Sequence, residues 1–79
     1  MPRYFFHLRY EHDMMDGEGV DLPDFHTARV EAVRAFGEML QELDGSLKPG
    51  LPFEMTLADQ EGNALFRLRA LSEMLDDHG

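Results

Sequence analysis

The segment between Phe25 and Leu43 carries the most regular pattern in the chain and most constrains its fold. At about 100° per residue, its apolar side chains fall in one arc about 120° wide, with polar side chains opposite. Asp24 is a favourable N-cap, and Asp44 followed by Gly45 is a favourable end. The sequence therefore predicts one amphipathic helix of about 19 residues, long enough to cover one face of a small sheet. The apolar positions are Phe25, Ala28, Ala32, Phe36, Met39, Leu40 and Leu43.

Alternating apolar and polar residues on both sides of this helix predict four strands. Residues 11–19 are polar, so we expect a long hairpin loop there, and we expect Gly62 or Asn63 to adopt a positive φ in a tight turn. Residues 70–77 have a short amphipathic pattern, which predicts a C-terminal helical turn. The predicted strands span residues 3–9, 19–22, 52–59 and 64–69.

The order of these elements indicates an α+β fold with a ββαββ arrangement. The helix is long enough to return the chain across the sheet, and such crossovers are right-handed. We therefore expect a four-stranded antiparallel sheet in the order 2-1-3-4, with the helix on one face. The length is that of one small domain, residues 1–79.

The first predicted strand carries aromatic side chains on both of its faces, because successive residues of a strand point to opposite sides. Tyr4, Phe6 and Leu8 are expected to face the helix, whereas Phe5 and His7 face away from it. Three covers for Phe5 stay open: the C-terminal turn, the stems of nearby arginines, or another protein molecule. The last of these predicts a partner interface, formed by Phe5, His7, Arg9, Leu65 and Arg67.

Charge and composition limit the classes of partner. The 79 residues include 7 Lys and Arg against 16 Asp and Glu, a net charge of −9, which disfavours nucleic acid because phosphate binding needs local cations. The absence of cysteine excludes disulfides and thiolate chemistry and favours a reducing compartment. We expect a cytoplasmic protein with no signal peptide and no membrane span, since no apolar run is long enough.

The sequence contains no recognisable pattern for catalysis or for binding a cofactor. The two serines lack the surroundings of an activated nucleophile, and the acidic stretch HDMMDGEG does not have the spacing of a calcium loop. We expect no enzyme, no cofactor and no metal site, while a metal site built in space from His12 and the C-terminal residues stays open. The histidines, none at metal-ligand spacing from another, are His7, His12, His26 and His78.

Four motifs occur together: the opening MPRYFFH, an acidic D-x-x-G-x-x-L-P-D segment, an A-x-x-E-A helix and a late D-x-x-G hairpin. The combination resembles an uncharacterised family of small alphaproteobacterial proteins, over most of the chain to about Leu68. The resemblance implies a compact fold in a bacterial cytoplasm and assigns no activity. The segments LPDF and VEAVRAF are more weakly similar to antitoxin domains of the HicB type. The family positions are Pro2 to His7, Asp16, Gly19, Leu22, Pro23, Asp24, Ala28, Glu31, Ala32, Asp59 and Gly62.

Two functions are compatible with these observations. The first is a non-enzymatic protein-interaction module that forms a homo-oligomer, such as a dimer, or docks another protein through its sheet face or an edge strand. The alternative is an antitoxin-like regulatory module that binds a toxin or a nucleic acid. The second function needs a local basic patch that outweighs the net negative charge.

Overall fold

One helix lies against one face of an antiparallel sheet in the computed structural model of the chain, which describes residues 1–43 and 46–76. The predicted α+β class is confirmed. The elements are β1 (Arg3–Tyr10), β2 (His12–Met14), β3 (Val20–Asp21), α1 (Phe25–Glu42), β4 (Phe53–Ala58) and β5 (Ala64–Ala70).

The sheet has the order β2-β1-β4-β5, and β3 also pairs with β1. Every pairing is antiparallel. β2 pairs with the Leu8–Tyr10 part of β1, and β3 pairs with Arg3 and Tyr4. The predicted four-stranded order 2-1-3-4 is therefore incomplete. Its second strand is only two residues long, as β3, and a fifth strand, β2, pairs with the rest of the same edge of β1.

The extra strand lies inside the segment that the sequence assigned to a hairpin loop, so the loop prediction for residues 11–19 is wrong at residues 12–14. Glu11 adopts a left-handed backbone conformation, with φ of 69°, and reverses the chain at once. Tyr10 is then opposite His12, and Leu8 is opposite Met14. A left-handed glutamate is uncommon, so a tight turn at Glu11 was not expected. The polar composition of the segment therefore favoured a long loop.

The predicted C-terminal helical turn over residues 70–77 is also wrong. Ala70 still belongs to β5, residues 71–75 form no helix, and residue 77 lies outside the described residues. The N–H of Gly50 donates to the carbonyl oxygen of Ser72 at 2.9 Å, and the Ser72 hydroxyl donates to the carbonyl of Leu47 at 3.4 Å. The linker before β4 thus takes backbone and side-chain bonds that a helical turn would compete for.

The helix α1 begins where the sequence predicts. Asp24 is its N-cap, with a carboxylate oxygen accepting from the N–H of Thr27 at 2.8 Å. The helix ends at Glu42 with Leu43 as its C-cap, and the predicted cap at Gly45 lies outside the described residues. Its buried residues are Ala28, Ala32 and Phe36, so α1 covers the face of the sheet that carries Tyr4, Phe6 and Leu8, as predicted.

The core between helix and sheet is thin. Phe36 of α1 stacks on Phe53 of β4 with ring centroids 5.2 Å apart, and Ala28 packs against Tyr4 and Leu57. Three of the buried apolar residues are alanines, and the largest fully buried side chains are Met55 and Leu57. Each large buried apolar side chain contributes about 1.5–3 kcal/mol, so this core leaves little reserve beyond the conformational entropy that folding costs. The buried apolar residues are Tyr4, Ala28, Ala32, Phe36, Phe53, Met55, Leu57 and Ala58.

Candidate interaction surfaces

The ring of Phe5 is covered by the chain itself, through the loop that joins β2 to β3. Gly19 in this loop has φ of 73°, and a Cβ built on it would come within 2.8 Å of Cε2 of Phe5. The backbone of Gly19 therefore lies directly against the ring, which is half-buried. The C-terminal segment leaves the sheet after Ala70, which is opposite Phe53, whereas Phe5 is opposite Ala58 at the other end of β4. The acidic loop is a cover that the sequence did not suggest.

Asp16 holds this loop against the edge of β1. One oxygen of its carboxylate accepts from the N–H of Phe6 at 3.2 Å, and the other accepts from the N–H groups of Glu18 and Gly19 at 3.0 and 3.1 Å. Phe6 lies in the gap between the residues of β1 that pair with β2 and those that pair with β3. The side chain of Asp16 thus replaces the strand that is missing from this gap.

The same bonds set the acidity of Asp16. Burial raises the pKa of this carboxyl, but the N–H groups of Gly19, Glu18 and Phe6 favour the charged form and bring its pKa below the ordinary value. Asp16 is therefore a carboxylate near neutral pH, and its charge is used to order backbone.

His7 is oriented from the same loop. Its Nδ1 accepts from the N–H of Asp16 at 3.0 Å, and its ring stacks on that of Phe5 with centroids 6.3 Å apart. The bond at Nδ1 places the proton of the neutral ring on Nε2. On the face of the sheet away from α1, His7 is opposite Thr56, which is in turn opposite Arg67. These three residues form one row across β1, β4 and β5, here called the donor row.

The neighbouring row on this face alternates in charge. Arg9 is opposite Asp13 on one side and Glu54 on the other, and Glu54 is opposite Arg69. Arg9 pairs with Asp13 at 3.4 Å, and Arg69 pairs with Glu54 at 2.6 Å. Acid and base therefore compensate each other within the row, and little net charge is left for a partner.

The five residues of the predicted partner interface do not form one apolar patch. Phe5 lies under the acidic loop, and Leu65 lies on β5 at the end of the sheet. The other three, His7, Arg9 and Arg67, line one groove of about 320 Å³, here called the outer-face groove. The predicted interface stays a prediction, with its aromatic centre already contacted by the chain.

A second groove lies on the opposite side, between α1 and β5, and sequence reasoning missed it. Val30 and Val33 are 55% and 53% exposed, and with Phe66 they provide the apolar lining of a groove of about 570 Å³, here called the helix-side groove. These valines fall at the margin of the apolar arc of the helix. Two exposed β-branched residues three positions apart were the available signal. The lining residues are Arg29, Val30, Val33, Arg34 and Phe66.

The cations of the chain are mostly compensated. Within residues 1–43 and 46–76, five of the seven have a carboxylate within ion-pair distance. Arg29 and Arg67 are the two without one in that part of the chain. The paired cations are Arg3, Arg9, Arg34, Lys48 and Arg69.

Neither a metal cluster nor a membrane-spanning helix is found in the described part of the chain. No group of three or more His, Asp or Glu side chains there is placed to hold a metal ion. No described helix is long and apolar enough to cross a bilayer.

A family model, that of a domain of unknown function, DUF6894, matches residues 3–72 of the chain. The chain belongs to the DUF6894 family. The resemblance to an uncharacterised family, which the sequence motifs indicated, is thereby confirmed. Comparison of the chain with curated proteins and with solved structures found no significant match.

The motif residues of this DUF6894 chain have structural tasks. Asp16 orders the loop over Phe5, Gly19 packs on that ring, and Asp24 caps α1. In the late hairpin, Asp59 accepts from the N–H groups of Asn63 and Glu61 at 2.8 and 3.0 Å. The hydrogen bonds from Asn63 are the main reason that the pKa of Asp59 lies below its ordinary value. The three motif aspartates therefore shape turns and a helix start.

Proposed function

We propose that this DUF6894 chain is a non-enzymatic protein-interaction module of a bacterial cytoplasm, and that its partner is a second copy of itself. The observation that carries the proposal is the position of the helix-side groove. Its exposed valines, Val30 and Val33, lie directly beside β5, which is the last strand of the sheet. A strand edge that no described strand covers and an apolar flank of the helix meet there on one surface.

The outer edge of β5 is one part of the proposed interface. Among the described residues, no strand pairs with its outer side. β5 is seven residues long, about 23 Å of backbone whose outward N–H and C=O groups can bond a further strand. It contains no proline, and its two charged residues, Arg67 and Arg69, donate to Thr56 and Glu54 on β4, away from the outer edge. Its irregularity is confined to the end near Ala58. Long unprotected edges of this kind favour pairing with another chain.

A stripe of residues on α1, here called the valine stripe, is the other part of the proposed interface. Val30, Val33 and Gly37 lie at positions i, i+3 and i+7 and therefore share one side of the helix. A Cβ built at Gly37 would meet no described atom within 4 Å outside its own stretch of helix. The fold of one copy thus gives no reason for glycine there, whereas a small residue lets a second helix approach closely.

Two-fold symmetry brings both parts of the interface together in a dimer. Two copies of β5 that pair antiparallel around a two-fold axis perpendicular to the sheet form one continuous sheet. Such an axis keeps both α1 helices on the same face, so the valine stripe of one copy packs against that of the other. A single surface serves both copies, as a two-fold interface requires.

The thin core and the net charge have opposite effects on the free energy of association. The core of one copy is thin, and no disulfide supports it, since the chain has no cysteine. Small domains of this kind commonly gain stability by oligomerisation. The net charge of −9 on each copy opposes association, and salt screens this repulsion. We therefore expect a reversible dimer that becomes stronger as the salt concentration rises.

Sedimentation equilibrium over a range of protein concentrations tests the proposal. Val33→Glu places a carboxylate in the proposed interface, and because Val33 is already half exposed, the monomer should keep its fold by circular dichroism. We expect the parent chain to dimerise and Val33→Glu to remain monomeric. Met15→Glu, at an exposed methionine that lines the outer-face groove, adds the same charge elsewhere and should dimerise like the parent.

Hydrogen exchange measured at low and high protein concentration tests the edge itself. The outward N–H groups of β5 should become protected only at high concentration, and not in Val33→Glu. A monomer at all concentrations would sink the proposal. A dimer that survives Val33→Glu but is lost in Met15→Glu would also contradict it, because the interface would then lie on the other face of the sheet. A dimer that is lost when residues 73–79 are deleted would contradict it as well, because those residues are not part of the proposed interface.

A further inference from the structure

We infer that the donor row, formed by His7, Thr56 and Arg67, binds a small oxyanion, a carboxylate or a phosphate. The inference concerns the face of the sheet away from α1 and does not depend on self-association. The pairing registers place His7 beside Thr56 and Thr56 beside Arg67. Directly opposed side chains of antiparallel strands stand about 5 Å apart at Cβ, so the row spans about 10 Å.

Each member of the row keeps at least one hydrogen-bond donor that no described residue uses. Nδ1 of His7 accepts from the N–H of Asp16, which leaves Nε2–H as a donor. Oγ1 of Thr56 accepts from Nε of Arg67 at 3.0 Å, which leaves the hydroxyl hydrogen to be donated. The two terminal nitrogens of Arg67 have no acceptor among the described residues. An oxyanion has several acceptor oxygens and a negative charge, and it therefore matches three donors of which one is cationic.

The charge around the row favours such a ligand. Arg67 is one of the two cations without a carboxylate partner in the described part of the chain. The carboxylates of Asp13 and Glu54 are paired with Arg9 and Arg69 in the neighbouring row. The carboxylate of Asp16, which interacts with His7, accepts from three backbone N–H groups. A positive charge is therefore left in place inside a chain whose net charge is −9, and it lies in the outer-face groove.

The donors are also held in place before any ligand arrives. The bond from Nε of Arg67 to Thr56 fixes the plane of the guanidinium, and the bond from Asp16 fixes the ring of His7. An exposed arginine normally loses conformational freedom when it binds an anion. Here part of that cost is met by the fold, and the two remaining guanidinium nitrogens can address two oxygens of one anion.

Titration followed by ¹⁵N NMR tests the site, with inorganic phosphate and acetate as separate ligands. We expect saturable shifts at His7, Thr56 and the Nε of Arg67 with at least one of them, in the millimolar range. Comparison of the two titrations decides whether phosphate or carboxylate is preferred. The titrations use Val33→Glu as the background, so that any change in self-association does not contribute to the shifts.

Two substitutions make the test specific. Arg67→Gln should weaken binding at least about tenfold, since it removes the charge-assisted hydrogen bonds. Arg29→Gln removes the other cation that lacks a carboxylate partner among the described residues. It lies on the helix side of the molecule, and its loss should leave the affinity unchanged. Shifts that do not saturate, or that fall equally with Arg29→Gln and Arg67→Gln, would show general attraction of anions and overturn the inference.

Discussion

The backbone N–H of Asp16 donates a hydrogen bond to Nδ1 of His7 at 3.0 Å. The carboxylate of the same aspartate accepts from Phe6, the neighbour of His7 on β1. One residue therefore fastens the acidic loop to β1 both through its main chain and through its side chain. This connection covers Phe5 and orients the histidine of the donor row.

Replacing Asp16 should destabilise the fold. In Asp16→Asn one side-chain oxygen remains, but the amide group then faces an N–H donor where the second oxygen accepted from Phe6. We expect a loss of about 1–2 kcal/mol in the free energy of unfolding, at the lower end for hydrogen bonds to a charged group because the site is partly exposed. Urea denaturation measures it. Asp13→Asn, which removes only an exposed ion pair with Arg9 at 3.4 Å, should change stability by less than about 0.5 kcal/mol; an equal loss in both variants would contradict the role given to Asp16.

Stability should fall in acid. The pKa values of Asp16, Asp24 and Asp59 are all lowered from an ordinary value of 3.8, at Asp24 and Asp59 mainly by backbone hydrogen bonds and at Asp16 by three such bonds that outweigh burial. A group whose pKa is lowered in the folded state stabilises the protein at any pH above its ordinary pKa. This contribution is lost as the pH falls through the folded-state pKa. The urea midpoint should therefore decrease below about pH 4, and less steeply in Asp16→Asn. A midpoint that does not change between neutral pH and that range would be inconsistent with these bonds.

Gly19 should tolerate no side chain. Gly19→Ala meets Phe5 Cε2 at 2.8 Å and the carbonyl oxygen of Tyr4 at 2.9 Å, in addition to the strain of φ 73°. Gly62→Ala has only the strain of φ 87°, since no described atom beyond its chain neighbours lies within 4 Å of the new Cβ, and Gly17→Ala has neither the strain nor a described contact. Thermal denaturation should rank the losses, with Gly19→Ala above roughly 2 kcal/mol, Gly62→Ala about 1–2 kcal/mol and Gly17→Ala near zero. A loss for Gly19→Ala no larger than that for Gly62→Ala would mean that the loop does not pack on Phe5.

Gly37 should separate the stability of one copy from the association of two. Because a Cβ there meets no described atom within 4 Å outside its own stretch of helix, Gly37→Ala should stabilise the monomer by about 0.5–1 kcal/mol through helix propensity. If two helices approach at this position, the same methyl group weakens the dimer. Denaturation of dilute protein measures the first effect and sedimentation measures the second. A variant that gains stability and dimerises as well as the parent would remove Gly37 from the interface.

The local elements of this protein follow from short stretches of sequence, because each depends on neighbours along the chain. The sequence predicts the helix start at Asp24 and a positive φ at Gly62 or Asn63, and the structure has both, with Gly62 as the left-handed residue. The helix itself followed from its apolar period. The strand β2 was missed, because Glu11 adopts a conformation that its side chain does not favour.

The sequence by itself determined that one amphipathic helix covers one face of an antiparallel sheet, since burial of apolar side chains has the period of the element that carries them. The tertiary structure decided what lies on the other surfaces. Only the folded chain brings Asp16 to the gap in the edge of β1, pairs Arg9 and Arg69 with carboxylates while leaving Arg67 without one among the described residues, and sets Val30 and Val33 beside β5, the last described strand of the sheet. These relations join residues far apart in sequence, and periodicity contains no information about which of them become neighbours.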